Sequence, residues 1–192
     1  MRKGGVPIAD EVRIADVIAK RRARVINRAG LRSLVIRVAY LVAIAYLVLT
    51  YGFLITQCHG QAMFPAMKDG DLCVVFRQEA QSLLQQGLSQ KDIVAYQMNG
   101  KRGFGRVVAV AGDVVMMDDS GGLTVNGVPE NREILYPTYA KGETEYPLRV
   151  PDGCIYVLGD YRTNTEDSRD LGPIPLDSVE GKVITILRRR GL

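Results

Sequence analysis

Nineteen consecutive residues, Val38 to Thr56 (VAYLVAIAYLVLTYGFLIT), carry no charge. A helix of that length rises about 28 Å, close to the hydrocarbon thickness of a bilayer. A helix that is apolar on every face needs a large protein around it to serve as a core element. The 192 residues here amount to one ordinary domain and a further segment. A cleaved secretory signal has a shorter apolar region nearer the start, followed by a small-x-small site. This run begins late, and no Ala-x-Ala follows it. It reads as an uncleaved membrane anchor over residues 38–56, with a basic segment at 1–37 and a domain at 57–192.

The charge pattern agrees. Residues 1–37 hold ten Lys/Arg against three Asp/Glu, and the remainder holds 15 against 18. The net charge of +4 and the pI near 9.0 therefore belong to the amino-terminal segment. A basic protein invites a nucleic-acid reading. A basic block abutting an apolar run points instead to a single-pass protein of the cell membrane, with a cytoplasmic amino terminus, an extracytoplasmic carboxy-terminal domain and no nucleic-acid partner. Ile8, Val12, Ala15, Ile18 and Ala19 recur at helical spacing among Arg13, Lys20, Arg21, Arg22 and Arg24. That pattern suits an amphipathic helix on an anionic leaflet, or a solvated tail.

Beyond residue 57 the pattern changes to short apolar runs broken by Gly and Asp. Leu72–Phe76, Ile93–Tyr96, Gly105–Val110, Val114–Met117, Leu123–Val125, Ile155–Leu158 and Val183–Leu187 read as strands. Asn126-Gly127 is a hairpin turn signal. Gln78–Leu88 is a short helix or a loop, and residues 128–150, with Pro129, Pro137 and Pro147, form an irregular excursion. Nothing is long enough to cross over a parallel sheet, so an antiparallel, mainly β domain is expected. The three cysteines, Cys58, Cys73 and Cys154, match no zinc spacing. They are three buried thiols, or one disulfide with a free thiol. His59 is the single histidine, and neither a metal site nor a cofactor is expected.

Four motifs follow in order: Gly60-Gln-Ala-Met-Phe-Pro-Ala-Met-Lys-Asp-Gly-Asp71, Lys91-Asp-Ile-Val-Ala-Tyr96, Gly105-Arg-Val-Val-Ala-Val-Ala-Gly-Asp113, and Gly159-Asp-Tyr-Arg-Thr-Asn-Thr-Glu-Asp-Ser-Arg169 with Leu171-Gly172. Together they resemble the characteristic boxes of bacterial type I signal peptidases. The resemblance implies an antiparallel β domain behind one amino-terminal transmembrane helix, and a serine–lysine dyad. In such a dyad the hydroxyl attacks a peptide carbonyl and a neutral, buried lysine takes its proton, while backbone N–H groups hold the oxyanion.

Matched residue by residue, the family's Ser-Met-x-Pro-Thr falls on Ala62-Met63-Phe64-Pro65-Ala66. The nucleophile position is Ala62. Seven residues before the Gly112-Asp113 pair the family has the lysine; here stands Gly105, followed by Arg106. Both groups of the dyad are absent. Lys101-Arg102 lies four residues early, about 13 Å along a strand, whereas a base must come within about 3 Å of its proton. Cys58 and His59 are neighbours, and adjacent strand residues face opposite ways. In the last box Tyr161 replaces an asparagine and Thr165 keeps a hydroxyl, while Asp160, Asp167 and Arg169 remain as a charged network. The resemblance assigns groove edges near Gln57, Gly60, Gln61 and Met63 on one side and Gly103, Phe104 and Arg106 on the other. Glycine at 105 is expected to open room at the groove floor.

Degenerate members of this family accompany pilus assembly in Gram-positive bacteria. The resemblance therefore implies a catalytically inactive accessory protein, whose partners are membrane lipid, an extended segment of a pilin or secreted preprotein, and a sortase. An active signal peptidase with displaced catalytic groups, or an engineered inactive form of one, is the alternative.

Overall fold

The computed structural model describes residues 9–83, 87–130, 136–142 and 144–188. Ile8 of the expected amphipathic stretch lies outside them, as do residues 84–86 of the expected helix or loop and 131–135 of the excursion. The side chains of Val12 and Ala15 are not among those described. The chain divides into two compact units, Met1–Val48 and Leu49–Leu192.

Helix α1 (Ala9–Gly52) runs unbroken through the leading stretch and the apolar run. Its Gly30–Gly52 part is long and apolar enough to cross a membrane, and none of it is buried within the protein. The span expected over 38–56 is corrected at its end. Gly52 closes the helix, and Phe53–Gln57 form strand β1. Gly52 has weak helix propensity, and in the Phe53-Leu-Ile-Thr run that follows, Thr56 turns inward while Ile55 and Gln57 turn out.

The remaining elements follow in order: β2 (Leu72–Arg77), α2 (Gln78–Leu83), β3 (Ile93–Met98), β4 (Lys101–Val110), β5 (Val114–Met117), β6 (Leu123–Val125), β7 (Val128–Pro129), β8 (Leu148–Arg149), β9 (Cys154–Leu158), α3 (Ser168–Leu171), β10 (Ile174–Pro175) and β11 (Val179–Leu187). Among the described residues the strands make two antiparallel sheets, one ordered β1-β2-β11-β3-β4-β9-β10 and one ordered β7-β6-β5-β8. All seven expected strands are present. Asn126 and Gly127 both take positive φ, and Val125 pairs with Val128 across them, so the hairpin forms as read.

Alternation along the large sheet sorts its side chains into two layers. Ala95 and Phe104 join Cys58, Met63, Met67, Cys73 and Val75 on one face. Val94, Tyr96, Val107 and Val157 pack on the other. A third cluster, including Val115, Leu123, Val150 and Tyr156, belongs to the small sheet and the strands beside it. At Gly181 a Cβ would meet the Phe76 carbonyl oxygen at 2.0 Å, so only glycine lets β11 lie this close to β2.

Candidate functional site

After β1 the chain turns back through residues 58–71 before entering β2. Two sulfur anchors fix this turn. Met63 and Met67 are 1% and 0% exposed in the interior cluster, each contributing about 1.5–3 kcal/mol of apolar burial. The Met67 N–H donates to Met63 O at 2.8 Å, and the Gly60 N–H donates to the Asp69 carboxylate at 2.8 Å. The Tyr161 N–H donates to Ala62 O at 2.9 Å, joining the turn to the 159–169 loop.

That loop is held by buried charge. Arg169 donates from Nε to Asp167 Oδ1 at 2.9 Å and from Nη2 to Asp167 Oδ2 at 2.8 Å. The Thr165 hydroxyl donates to the same carboxylate at 2.8 Å, and Asp167 caps α3 through the Arg169 N–H. Burial pushes the Asp167 carboxyl up, but the bonds and charge of Arg169, with the Thr165 hydroxyl, outweigh it and hold the group below the ordinary carboxylate range. Arg162, also buried, donates to Gly159 O, Thr138 Oγ1 and the Glu130 carboxylate. Arg106 forms a two-point pair with Asp160, at 2.9 and 2.7 Å. The excursion expected to be merely irregular clamps this loop from outside. Thr138 and Glu130 take Arg162, Tyr139 O accepts from Arg169 Nη1 at 3.2 Å, and Lys141 Nζ donates to Thr165 O at 2.7 Å.

Between the 58–63 turn, the first half of β4 and the 164–166 corner lies a cleft of about 530 Å³. It gathers Gly60, Gln61, Ala62, Met63, Gly103, Phe104 and Thr165 from among the residues picked out by sequence. Gln57, Gly105, Pro65, Arg106, Asp160, Asp167 and Arg169 do not line it. Gln57 faces Gly70 O at 3.4 Å, and the charged residues sit behind the cleft in the loop network. Tyr96, Arg102, Asn164 and Glu166 line it without having been singled out as site residues. Lys101, set aside for its register, lines it too.

The expected room at Gly105 is absent. A Cβ built there would meet Val157 Cγ1 at 2.2 Å, with Tyr96 Cε1 at 3.5 Å. At Gly103 it would meet the Tyr96 ring at 2.7–2.9 Å. Gly103 and Gly105 stand two apart on one face of β4, and the chain's own Tyr96 and Val157 have filled the space over both. A pair of glycines opposite a strand tyrosine was the only local hint. Burial pushes the Tyr96 phenol up to about 12, with the Asp167 and Glu166 charges adding to the effect.

Cys58 and His59 diverge as adjacent residues should. Cys58 is 3% exposed, and burial, with the charges of Asp71 and Asp69, pushes its thiol up to about 11. The exposed His59 ring turns its Nδ1 to Gln57 O at 3.1 Å. The thiol is thus protonated at neutral pH.

The backbone supplies the remaining feature. Val107 bonds through both its N–H and its C=O toward β3, to Asp92 O and the Lys91 N–H. By alternation the N–H and C=O of Arg102 and Phe104 point the other way, into the cleft. Arg106 meets Leu158 of β9 on that side, but among the described residues no strand pairs with Lys101–Gly105 there. The outer edge of β1 is likewise unpaired among them.

Residues 31–187 match the family model described as signal peptidase, peptidase S26. A signal peptidase I from Bacillus caldolyticus is 29% identical over 65% of this chain and 73% of its own length. The thylakoidal processing peptidase 1 of Arabidopsis thaliana is 36% identical, over 41% of this chain and 22% of that protein. A signal peptidase I of Mycobacterium tuberculosis (strain ATCC 25618 / H37Rv) is 37% identical over 36% and 26%. A solved signal peptidase I from Enterococcus faecalis V583 shares 30% identity over 52% of this chain and 98% of its own, with a TM-score of 0.44.

Proposed function

Because the chain belongs to the signal peptidase family, peptidase S26, we propose that it is a membrane-anchored member that grips an extended segment of a secreted protein without cutting it. One observation carries the reading. The family's nucleophile position holds Ala62, and its base position holds Gly105, beneath the Val157 and Tyr96 side chains. A methyl group cannot attack a carbonyl, and a residue without a side chain cannot take a proton. The cleft retains what binding needs, the β4 edge at Arg102–Phe104, whose outward N–H and C=O groups can pair with an added strand, across from the 58–63 turn.

The helix Gly30–Gly52 is the membrane anchor. The excess of Lys/Arg before it supports an amino terminus on the cytoplasmic side and a β domain outside. The bound segment belongs to a preprotein or a pilin, and a sortase acts on what is held. This last assignment rests on the resemblance to dyad-less members found beside pilus systems.

The full chain in detergent, offered signal-peptide-bearing preproteins, is expected to bind and to leave them intact. The triple variant Ala62→Ser, Gly105→Lys, Val157→Ala rebuilds the dyad and clears space for the lysine, and it is expected to cut. Turnover by the unaltered chain sinks this reading. A second reading, cutting by displaced groups, draws on Lys101 lining the cleft. It requires activity in the natural sequence that disappears in Lys101→Ala.

A further inference from the structure

Three strands separate β1 from β4 in the sheet order. Even so, Arg102 Nη1 on β4 donates to Thr56 Oγ1 on β1 at 2.8 Å. The sheet therefore curls enough to bring this β4 side chain onto β1. An outstretched arginine reaching a hydroxyl covers two strand spacings of about 4.8 Å, the width that one added strand takes. Alternation places Arg102 on the same face of β4 as Phe104, the interior face, and Thr56 is buried on the interior side of β1. The guanidinium thus lies beneath the place an added strand takes, as part of its floor.

We propose that Arg102 is a specificity-determining residue of the cleft. At its register, the inward side chain of the bound segment carries a hydroxyl or amide oxygen (Ser, Thr, Asn or Gln), and a large aliphatic one is rejected. This rests on the reading of the cleft as a peptide-holding groove.

The donor inventory decides the chemistry. A guanidinium has five N–H groups. Nε donates to Glu180 Oε2 at 2.5 Å, Nη2 to Glu180 Oε1 at 2.8 Å, and Nη1 to Thr56. One N–H on each Nη is left over. Glu180 already balances the positive charge, so a ligand carboxylate meets a neutral pair with a carboxylate beside it. A neutral oxygen accepts the spare N–H without that repulsion. A leucine side chain seated there strips water from both spare donors and offers nothing in return. Next to Arg102 on its interior side lie the apolar Cys58, Met63 and Phe104, so the oxygen preference is expected at the Arg102 register.

The test uses the full chain in detergent and fluorescein-labelled alanine-based peptides in which one varied residue is moved along the sequence, with binding read by anisotropy. One position is expected to favour Ser, Thr, Asn or Gln over Leu by about ten-fold, the scale on which donors that a bound segment covers and leaves unpaired discriminate. Arg102→Leu is expected to reverse that preference at that position alone. Thr56→Val keeps the shape and frees a third N–H, so it is expected to sharpen the preference. A merely structural role would move both variants the same way. Peptides that bind with a profile unchanged by Arg102→Leu overturn the inference and leave the groove standing. If no peptide binds, the peptide-holding reading falls and the inference falls with it.

Discussion

The cleft and the loop behind it are built in opposite ways. In the 159–169 loop, Asp167 and Arg169 are buried and multiply bonded, and Thr165 bonds to both. In the cleft, Ala62 and Gly105, which we propose as the family's two reacting positions, carry no reacting group, and neighbouring side chains cover the second. The loop network shapes the fold, because removing one member of a buried pair strands the other in a medium that cannot solvate it. The reacting groups stabilise nothing. A lysine kept neutral by burial costs stability, and with glycine at 105 this fold carries no such cost there. Chemistry is dispensable to this chain's folding, and the frame around the chemistry is not.

The sharpest way to break this contrast is to cut the network. Arg169→Met leaves Asp167 buried with its main partner gone, and the expected loss is about 3–5 kcal/mol. Denaturant unfolding of the full chain in detergent measures it. Stability unchanged within about 0.5 kcal/mol would mean that the loop charges are ornamental.

The same carboxylate sets a pH response. Its folded pKa lies below its ordinary value. Its contribution is therefore present above the unfolded pKa, about 3.9, and is lost as pH falls below that toward the folded value. Thermal unfolding followed downward from neutrality should show wild type falling toward Asp167→Asn across that window. Parallel curves would contradict the assigned direction.

The cleft side is tested by refilling it. Gly105→Ala drives a Cβ into Val157 and is expected to cost about 1–3 kcal/mol as overpacking. Val157→Ala alone leaves a cavity and costs a similar amount. Together they should cost less than the sum by more than about 1 kcal/mol, because each relieves the other. Additive costs would mean that Val157 does not occupy the base position's space.

The extent of what could be read beforehand follows from how local each feature is. The seven expected strands were visible because β-branched runs bounded by Gly and Asp announce themselves within a few residues. β1 was hidden because Phe53-Leu-Ile-Thr is as apolar as the span before it, and only Gly52 marks the change. The two-residue strands β8 and β10 exist through pairing with β5 and β9, far away in sequence, and carry no pattern of their own. At the site, Ala62, Gly103 and Thr165 were found by motif. Arg102 and Tyr96 were not singled out, because the role of Arg102 depends on the curl that brings β1 opposite β4, and the role of Tyr96 depends on its pairing with Gly103. The clamp formed by Glu130, Thr138 and Lys141 escaped for the same reason: its partners lie 24 to 32 residues away in sequence.

The smallest expected effect belongs to Ala62→Ser, and it sharpens the contrast most cheaply. The residue is half-buried at the cleft wall, and its carbonyl, the group the fold uses, accepts from the Tyr161 N–H and is untouched by the change. A hydroxyl there faces the cleft and water, so stability should move by less than about 0.5 kcal/mol. No cutting should follow, because Gly105 offers no amine to take the proton and the added serine stays a weak nucleophile at neutral pH. Unfolding and preprotein-cleavage assays on the same preparation read both quantities. Cutting by Ala62→Ser alone would mean that another base, with Lys101 the first to examine, already stands within reach of position 62.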